Sequence, residues 1–519
     1  MTQKPAQAEP IDLWSEPALT ADFAVSTRYS GVSMPAKATI LAGLLLITLL
    51  VCGASGAEVP NAGPLFDRFG LTLEPGERFE AAGPFFYSES KEGENLWAIP
   101  PLLSHQTRPQ TDSEEWEFAY PVLTYERFGT QYRWQFCQVL SFSGGETQLS
   151  TNRHRFSLFP VYFQQRSSDT NENYTAVFPF YGHLKNRFLR DETTFIMFPA
   201  YSETRKGDIV TDNYLYPFFH RRHGNGLTGW QAWPFVGHEH KEITTRTNGF
   251  NDVQIIGGHD DRFILWPMYF KTLSGIGTEN PVSQQGILPF YSLERSPKRD
   301  GTTVLWPFFS KVDDREKKYR EWDAPWPFVV FAHGEGKTTT RIWPFYSQAH
   351  TPTLESDFYL WPIYKFNSVH ADPLDRRRTR ILFFLYSDLV QKSTETGATL
   401  RRKDCWPLFA YRREYNGNTR LQVMAILEPF LPGSHKIERD YSPLYAFWRS
   451  EHNPTSGAAS QSLLWNLYRR ETTPNSKKCS LLFGLFQYQS DSAGKRTRIF
   501  YIPLGKTKST SQPKAAAEH

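Results

Sequence analysis

The sequence of 519 residues contains few cysteines and only a mild excess of positive charge. The four cysteines are Cys52, Cys137, Cys405 and Cys479, a set too sparse to serve as a disulfide framework. The formal net charge is +4, which is too small to favour nucleic acid as the partner. The stability of the fold must therefore come from side-chain packing and not from disulfides. The small net charge indicates a partner other than nucleic acid.

Recognisable catalytic motifs are also missing from the sequence. It has no phosphate-cradling GxxxxGK[ST] loop, no GxSxG nucleophile turn, no HExxH zinc motif and no CxxC pair. Each of these motifs places a specific nucleophile, base or ligand set at a fixed spacing. We therefore predict a protein that is not an enzyme and that holds no cofactor.

One long hydrophobic run, residues 38–57, stands out near the N-terminus. It ends in small residues, as a secretory signal does before its cleavage point. We interpret residues 34–57 as a signal peptide that starts at Met34 and leaves a mature chain beginning near Glu58. Residues 1–33 are then a disordered extension from a misassigned start, and residues 506–519 are a disordered polar tail.

Two alternatives concern the same run. If Met1 is used and nothing is cleaved, the run becomes a marginal membrane anchor, since about 20 apolar residues span a bilayer. Cys52 also suggests lipidation, but Val51 is larger than the residue expected before a lipidated cysteine. Cleavage near Glu58 is the interpretation that we favour.

Aromatic residues are abundant, at 15% of the chain, and they recur in a tandem repeat. The prolines of such segments as WPMYF, WPFFS and WPIYK lie 17 to 20 residues apart from Pro160 to Pro234 and 17 to 22 residues apart from Pro267 to Pro362, with worn copies before and after. A fixed period of this size indicates copies of one small unit that stack or pair side by side. The representative motif residues are Trp266, Pro267, Trp306, Pro307, Trp343, Pro344, Trp361 and Pro362.

The segment around each motif favours β-structure, because it is rich in β-branched and aromatic residues. We interpret each repeat as one strand of about 10 to 14 residues plus a turn, with Asn416-Gly417 and Asp300-Gly301 as hairpin signals. Apolar residues on both faces around Pro344 predict burial on both sides and place Trp343 in the core. A proline in mid-strand then predicts a bulge or bend.

The predicted fold is all-β: an antiparallel meander of about twenty strands over residues 58–505, arranged as a propeller-like array or as stacked sheets. The alternative is a closed outer-membrane β-barrel. Two features count against the barrel. The strands lack the alternation of apolar and polar residues that membrane strands show, and the chain ends in a polar tail.

The sharpest constellation of candidate ligands is GHEHKE, residues 237–242. On a strand, His238 and His240 point to the same face and form a weak candidate pair for a metal ion. A second polar group, FFHRRHGNG at 218–226, gathers His220, Arg221, Arg222 and His223 into a candidate anion site, but we favour a solvated loop for this segment.

The functional expectation is an exported cell-envelope protein with a structural or ligand-binding role, because stacked repeats create extended binding surfaces. One alternative is an outer-membrane pore or transporter, and the second is a glycan-binding or glycan-active propeller. The expected partner is an envelope glycan or another envelope protein, with membrane contact as a further option. The expected location is the periplasm, cell surface or outer membrane of a bacterial-type cell.

Overall fold

The computed structural model describes residues 63, 65–146, 152–247, 253–492 and 494–504. The predicted signal peptide, the N-terminal extension, Cys52 and the C-terminal tail lie outside these residues. Within them, the structure is all-β, with strands of three to eight residues and two short helices. The predicted all-β class is confirmed.

The first part of the array runs through nineteen strands and three short 3-10 turns. The 3-10 turns are Gly83–Phe85, Pro109–Thr111 and Thr170–Glu172. The strands are β1 (Phe66–Gly70), β2 (Gly76–Ala81), β3 (Phe86–Lys91), β4 (Glu94–Ile99), β5 (Leu103–Arg108), β6 (Ser113–Phe118), β7 (Leu123–Phe128), β8 (Gln131–Phe136), β9 (Leu140–Gly144), β10 (His154–Leu158), β11 (Tyr162–Arg166), β12 (Tyr174–Val177), β13 (Tyr181–Arg187), β14 (Arg190–Ile196), β15 (Tyr201–Lys206), β16 (Ile209–Tyr214), β17 (Phe219–Gly224), β18 (Leu227–Ala232) and β19 (Val236–Lys241).

The second part begins with a small separate hairpin and continues to the end of the described chain. Its strands are β20 (Thr244–Thr247), β21 (Val253–Ile256), β22 (Gly258–Ile264), β23 (Tyr269–Ile276), β24 (Val282–Ile287), β25 (Tyr291–Arg295), β26 (Arg299–Val304), β27 (Phe309–Asp314), β28 (Tyr319–Asp323), β29 (Val329–Gly334), β30 (Thr338–Ile342), β31 (Tyr346–His350), β32 (Leu354–Tyr359), β33 (Tyr364–Ala371), β34 (Leu374–Ile381), β35 (Tyr386–Ser393), β36 (Thr399–Cys405), β37 (Phe409–Arg413) and β38 (Thr419–Val423). Helices α1 (His435–Asp440) and α2 (Ser442–Tyr445) follow, and then β39 (Trp448–Asn453), β40 (Ala458–Leu463), β41 (Tyr468–Thr473), β42 (Ser476–Leu481), β43 (Phe486–Asp491), β44 (Gly494–Ile499) and β45 (Ile502–Leu504).

Among the described residues, successive strands pair antiparallel into one 43-stranded meander in which β19 pairs directly with β22, while β20 and β21 pair only with each other. The predicted antiparallel meander is confirmed. In the described part of the chain, β1 pairs only with β2 and β45 only with β44, so the sheet is not closed into a barrel.

The repeat unit is a hairpin of two short strands, and the predicted single strand of 10 to 14 residues is wrong. Thr338–Ile342 and Tyr346–His350 are separate strands, and the motif between them is the turn that reverses the chain. The expected number of about twenty strands is therefore too small, because every copy of the repeat supplies two. Sequence alternation misled here because residues in a turn do not follow the two-residue period of a strand.

Position in a turn also explains the proline, and the predicted mid-strand bulge is wrong. Pro344 and Pro307 lie between strands, where no ladder hydrogen bond is lost. Neighbouring turns are linked instead: Trp306 N–H donates to the Pro289 carbonyl at 2.7 Å, and Trp361 N–H donates to the Pro344 carbonyl at 2.7 Å. The four representative Trp-Pro peptide bonds, at 266–267, 306–307, 343–344 and 361–362, are cis.

The turns at the two ends of the strands differ in chemistry. We call the edge formed by the motif turns, such as 305–308, 343–345 and 360–363, the motif rim. The opposite edge, formed by turns such as 315–318 and 335–337, is the polar rim, because its residues are mainly charged or glycine. Asn416-Gly417 forms a hairpin turn between β37 and β38, as predicted, and this turn belongs to the polar rim. Asp300-Gly301 lies inside β26 and not in a turn, so that hairpin prediction is wrong.

Only one face of the sheet is buried, which corrects the expectation of burial on both. Along this buried face, Ser202, Asn213 and His220 are consecutive cross-strand neighbours, and the same row continues through Gly237 to Phe263. Small residues in the row make room for large ones. A Cβ on Gly237 would lie 2.2 Å from the Phe263 ring, so glycine is required at that position.

The two ends of the meander are in contact through side chains. At about 4.8 Å per strand, 43 strands make a sheet roughly 200 Å wide, so contact between its ends requires the sheet to curl back on itself. Tyr87 hydroxyl donates to the Arg439 carbonyl at 2.9 Å, and Asn466 amide donates to Glu80 at 2.7 Å. The buried face is therefore the inside of the curl.

Helix α1 fills the space between the two ends. Its Arg439 guanidinium donates to Gln106 at 2.7 Å and forms an ion pair with Glu117, while its Glu438 accepts from Arg420 at 2.7 Å. Burial raises the pKa of Asp440, and a hydrogen bond with Glu117 raises it further. The interior here combines an ionic network with buried Ile437 and Tyr87.

Candidate functional site

A cavity of about 700 Å³ opens on the buried face of β10–β17, beside the motif rim. One wall is aromatic and includes residues of the motif turns. Six of its aromatic side chains are Phe159, Phe163, Phe178, Phe195, Phe198 and Tyr216. The other wall is polar and is formed by Thr193, Ser202, Thr204, Thr211 and Asn213.

The aromatic wall is rigid because its rings pack on one another. Phe163 and Phe195 are each only 4% exposed, and the Phe178 ring lies edge-on to Phe195 at 5.7 Å. The row between these two buried rings holds Ala176 and Gly182, and the Phe195 ring covers Gly182, where a Cβ would lie 2.5 Å from it. The small residues of this row thus let the large rings pack closely on the sheet.

The polar wall follows from the register of three strands. Thr193, Thr204 and Thr211 are consecutive cross-strand neighbours, so their side chains form a line across the buried face. Beside them, the Asn213 amide donates to the Ser202 carbonyl and hydroxyl, each at 3.2 Å. A ligand in the cavity would meet hydrocarbon on one side and hydroxyl groups on the other.

The tip of the β13–β14 hairpin forms one side of the cavity. Arg187 reaches across the buried face and donates to the Ser157 hydroxyl at 2.9 Å, with its guanidinium 5.2 Å from the centre of the Phe163 ring. Phe188 packs edge-on to Phe163 at 5.7 Å and is 57% exposed. The tip is thus held by two contacts and presents an aromatic ring to the opening.

The cavity ends at a charged group. Arg222 donates to both carboxylate oxygens of Glu239, at 2.8 Å each, and His259 Nε2 lies 2.8 Å from Glu239. Burial lowers the pKa of His220, and the positive charge of Arg222 lowers it further, so this imidazole is neutral near pH 7. Of the sequence group 218–226, His220 and Arg222 line the cavity, but one is neutral and the other is paired with Glu239, so the candidate anion site stays a prediction.

Three side chains at this end could hold a cation. Ligand atoms of Glu239, His259 and Asp261 lie within 4.8 Å of one another, and His259 is 4.0 Å from Asp261. A histidine and two carboxylates form a mixed set that divalent metals accept. Arg222 already pairs with Glu239, however, so a cation would have to displace that guanidinium.

The predicted candidates His238 and His240 lie elsewhere. They share one face, as predicted, but this is the exposed face of the sheet, whereas Glu239 points to the buried face. Both imidazoles lie 3.3 Å from the same Asp260 oxygen. A hydrogen bond from Arg262 lowers the pKa of Asp260 to about 2, so that carboxylate is charged and already has partners.

The representative motif tryptophans are not in the cavity. Trp266, Trp306, Trp343 and Trp361 lie on the motif rim and are 38–47% exposed, which corrects their expected place in the core. Sequence reasoning missed the cavity because its walls depend on which residues are cross-strand neighbours. The Thr193, Thr204 and Thr211 line becomes visible only once the register is known.

The polar groups around the cavity are paired with each other: Ser202 with Asn213, His220 with Gln231, and Arg222 with Glu239. Among the described residues, no helix is long and apolar enough to cross a membrane. Neither a protein-family model nor a curated protein matches the sequence.

Proposed function

We propose that this chain is an exported, non-catalytic β-repeat protein that binds one amphipathic molecule in the cavity of β10–β17. The observation that carries the proposal is the pairing of a rigid aromatic wall with a line of threonine hydroxyls. A volume of about 700 Å³ falls within the range of about 300–1,000 Å³ that small-molecule sites occupy.

The charge of the cavity favours an acidic head group. In the described part of the chain, its lining includes Arg190, Arg222 and His220 and no carboxylate. Glu239 balances Arg222, whereas Arg190 is exposed on β14 at the cavity's edge. The ligand that fits is a single acyl chain against the phenylalanine rings, with a carboxylate directed to Arg190.

Binding is tested with the full chain and cis-parinaric acid, a fluorescent long-chain fatty acid. We expect saturable fluorescence that Thr204→Trp removes, because the larger side chain fills the cavity. Arg190→Gln should weaken binding of the fatty acid about tenfold, the loss of one charge-assisted contact, and leave the matching fatty alcohol unchanged. Lys206→Gln, an exposed lysine on the neighbouring strand, is the matched control.

Two results would reject this binding site. One is an unchanged affinity in the correctly folded Thr204→Trp variant, and the other is equal loss of acid and alcohol in Arg190→Gln. Export is tested separately by intact-mass measurement of the protein from its native host. The proposal expects a mature chain that begins near Glu58, and a mature chain that retains Met1 would contradict cleavage.

A further inference from the structure

The motif rim exposes large apolar side chains along the array. Trp306 and Phe308 are each 47% exposed, Leu360 is 55% exposed and Phe345 is 63% exposed. Folded proteins seldom leave so many large apolar groups in one continuous strip unless a partner covers them. The strip follows from the repeat itself, since each copy adds one turn to the same edge.

A second strip runs parallel to the rim on the exposed face of the sheet. At most motif turns the strand residue next to the turn is apolar, with Asp323 as an exception, and these apolar residues are direct cross-strand neighbours. From β22 to β27 the row is Ile264, Tyr269, Ile287, Tyr291, Val304 and Phe309. The apolar surface therefore covers both the turn tips and the side of the sheet next to them.

On the same exposed face, positively charged side chains lie next to the apolar row, on the side away from the motif rim. Arg221, Lys271 and Lys311 each follow an apolar residue of the row by two positions, so they point the same way, about 7 Å further from the rim. Acidic residues, such as Glu203 and Asp212, also occur at the same distance from the rim. Their side chains are half-buried, whereas the three cations are exposed. Beyond these cations, the strands end at the charged turns of the polar rim.

From the motif rim inward, the exposed side chains are first the apolar residues of the turns, then the apolar and aromatic row, and then the cations. The same sequence of chemical types is found across the surface of a bilayer, from its hydrocarbon to its headgroups. Trp and Tyr favour the headgroup level, apolar elements that lie on a bilayer enter it by about 5–10 Å, and Lys and Arg near the surface attract anionic lipid. We propose that the motif rim and its adjacent row insert into the headgroup region of a bilayer that contains anionic lipid.

Geometry favours lipid over a second copy of the chain. A partner docked end-on would cover the turn tips but leave Tyr269, Val304 and Phe309 in water, because that row faces sideways. A fluid lipid surface surrounds the rim and covers both. The cavity also borders this rim through Phe159 and Phe178, but the membrane proposal rests on the rim alone and needs no bound ligand.

Flotation of the full chain with vesicles tests the proposal. We expect flotation with vesicles of phosphatidylcholine and phosphatidylglycerol at three to one, and weaker flotation with phosphatidylcholine alone. The variant Phe308→Ser, Phe345→Ser, Leu360→Ser should partition at least about tenfold less, because it loses three exposed side chains of the motif rim. The variant Arg221→Gln, Lys271→Gln, Lys311→Gln should lose only the preference for phosphatidylglycerol.

The matched control removes three exposed lysines from the polar rim, with Lys206→Gln, Lys318→Gln and Lys392→Gln, and should float like the parent. Brominated lipid should quench tryptophan fluorescence in the parent, and circular dichroism verifies that each variant is folded. The proposal is overturned if the folded parent stays at the bottom of the gradient with both vesicles. It is also overturned if light scattering shows an oligomer that the serine variant dissociates without any flotation of the parent.

Discussion

At the scale of the residue, the same type of side chain has different roles on the rim and inside the curl. Trp343 is 38% exposed and contacts Phe328 and Trp361, with ring centres at 5.5 and 5.8 Å. Phe195, in contrast, is 4% exposed beside the cavity. The aromatic character of the repeat therefore says little about burial, and position relative to the turn decides it.

Substitution of these two aromatic residues should separate the two roles. We expect Phe195→Ala to lower the free energy of unfolding by roughly 3–5 kcal/mol, the usual cost of deleting a buried ring. Trp343→Ala should cost about 1–2 kcal/mol, because water already reaches much of the side chain. Urea unfolding followed by circular dichroism measures both. If the two substitutions lowered the free energy of unfolding equally, Trp343 would have to be as buried in solution as Phe195.

At the scale of the element, the fit between neighbouring strands depends on small residues in the buried row. Gly237 on β19 faces Phe263 on β22, and Gly286 on β24 faces Phe270 on β23 in the same manner. Each ring lies over a position that has no Cβ. The pairing of two such strands therefore depends on a glycine opposite a phenylalanine as well as on the backbone hydrogen bonds.

Adding one methyl group should disturb such a pair. A Cβ at Gly237 would lie 2.2 Å from the Phe263 ring and 2.9 Å from Gln231, so we expect Gly237→Ala to cost about 1–3 kcal/mol in unfolding free energy. Gly301→Ala is the control, because its nearest neighbour, the Glu294 side chain, is 3.3 Å away. Chemical denaturation compares the two, and similar midpoints would contradict tight packing of this row.

At the scale of the whole molecule, helix α1 holds the curled sheet together. Arg439 contacts Gln106 and Glu117, more than 300 residues earlier in the chain. We expect Arg439→Ala to cost about 3–5 kcal/mol, because it leaves buried Glu117 without this partner, and to let the two ends separate. Small-angle scattering should show a larger radius of gyration.

The control for this opening is Arg205→Ala. Arg205 forms a surface ion pair with Glu192 at 3.9 Å, and such pairs contribute at most about 1 kcal/mol. Its scattering curve should match that of the parent. An unchanged radius of gyration in Arg439→Ala would mean that other contacts between the ends are sufficient.

The ionic interior should also make stability depend on pH. Burial raises the pKa of Glu451, but the charges of Arg449 and Arg420 outweigh it and lower the pKa to about 2. A carboxyl with a lowered pKa stabilises the fold above its unfolded value near 4.5 and loses that contribution as the pH falls towards 2. The loss amounts to about 3 kcal/mol for this group.

Unfolding free energies between pH 6 and pH 2 test this dependence. Glu451→Gln should be less stable than the parent near neutral pH and should show a shallower decline below about pH 4.5. Glu395→Gln, in an exposed turn, should keep the decline of the parent. A decline in Glu451→Gln as steep as in the parent would assign the acid sensitivity to other groups.

Local chemistry along the chain was enough to predict the all-β class and the antiparallel meander. Recurring Pro residues revealed a tandem repeat, and polar turns such as Asn416-Gly417 indicated antiparallel neighbours. Both follow from local chemistry, since turn residues and β-branched residues restrict the backbone wherever they occur. The same local evidence could not show that Pro344 lies in a turn, because an apolar turn and an apolar strand centre have similar composition.

The tertiary structure alone decided which surfaces face inward and where a ligand fits. Thr193, Thr204 and Thr211 form a line only because three strands pair in one register, and Glu117 meets Arg439 only because the sheet curls. These contacts join residues that are distant in sequence, and their energy depends on curvature that accumulates over many strands. The cavity, the charged interior and the exposed motif rim therefore follow from the assembled sheet, whereas the repeat follows from the chain.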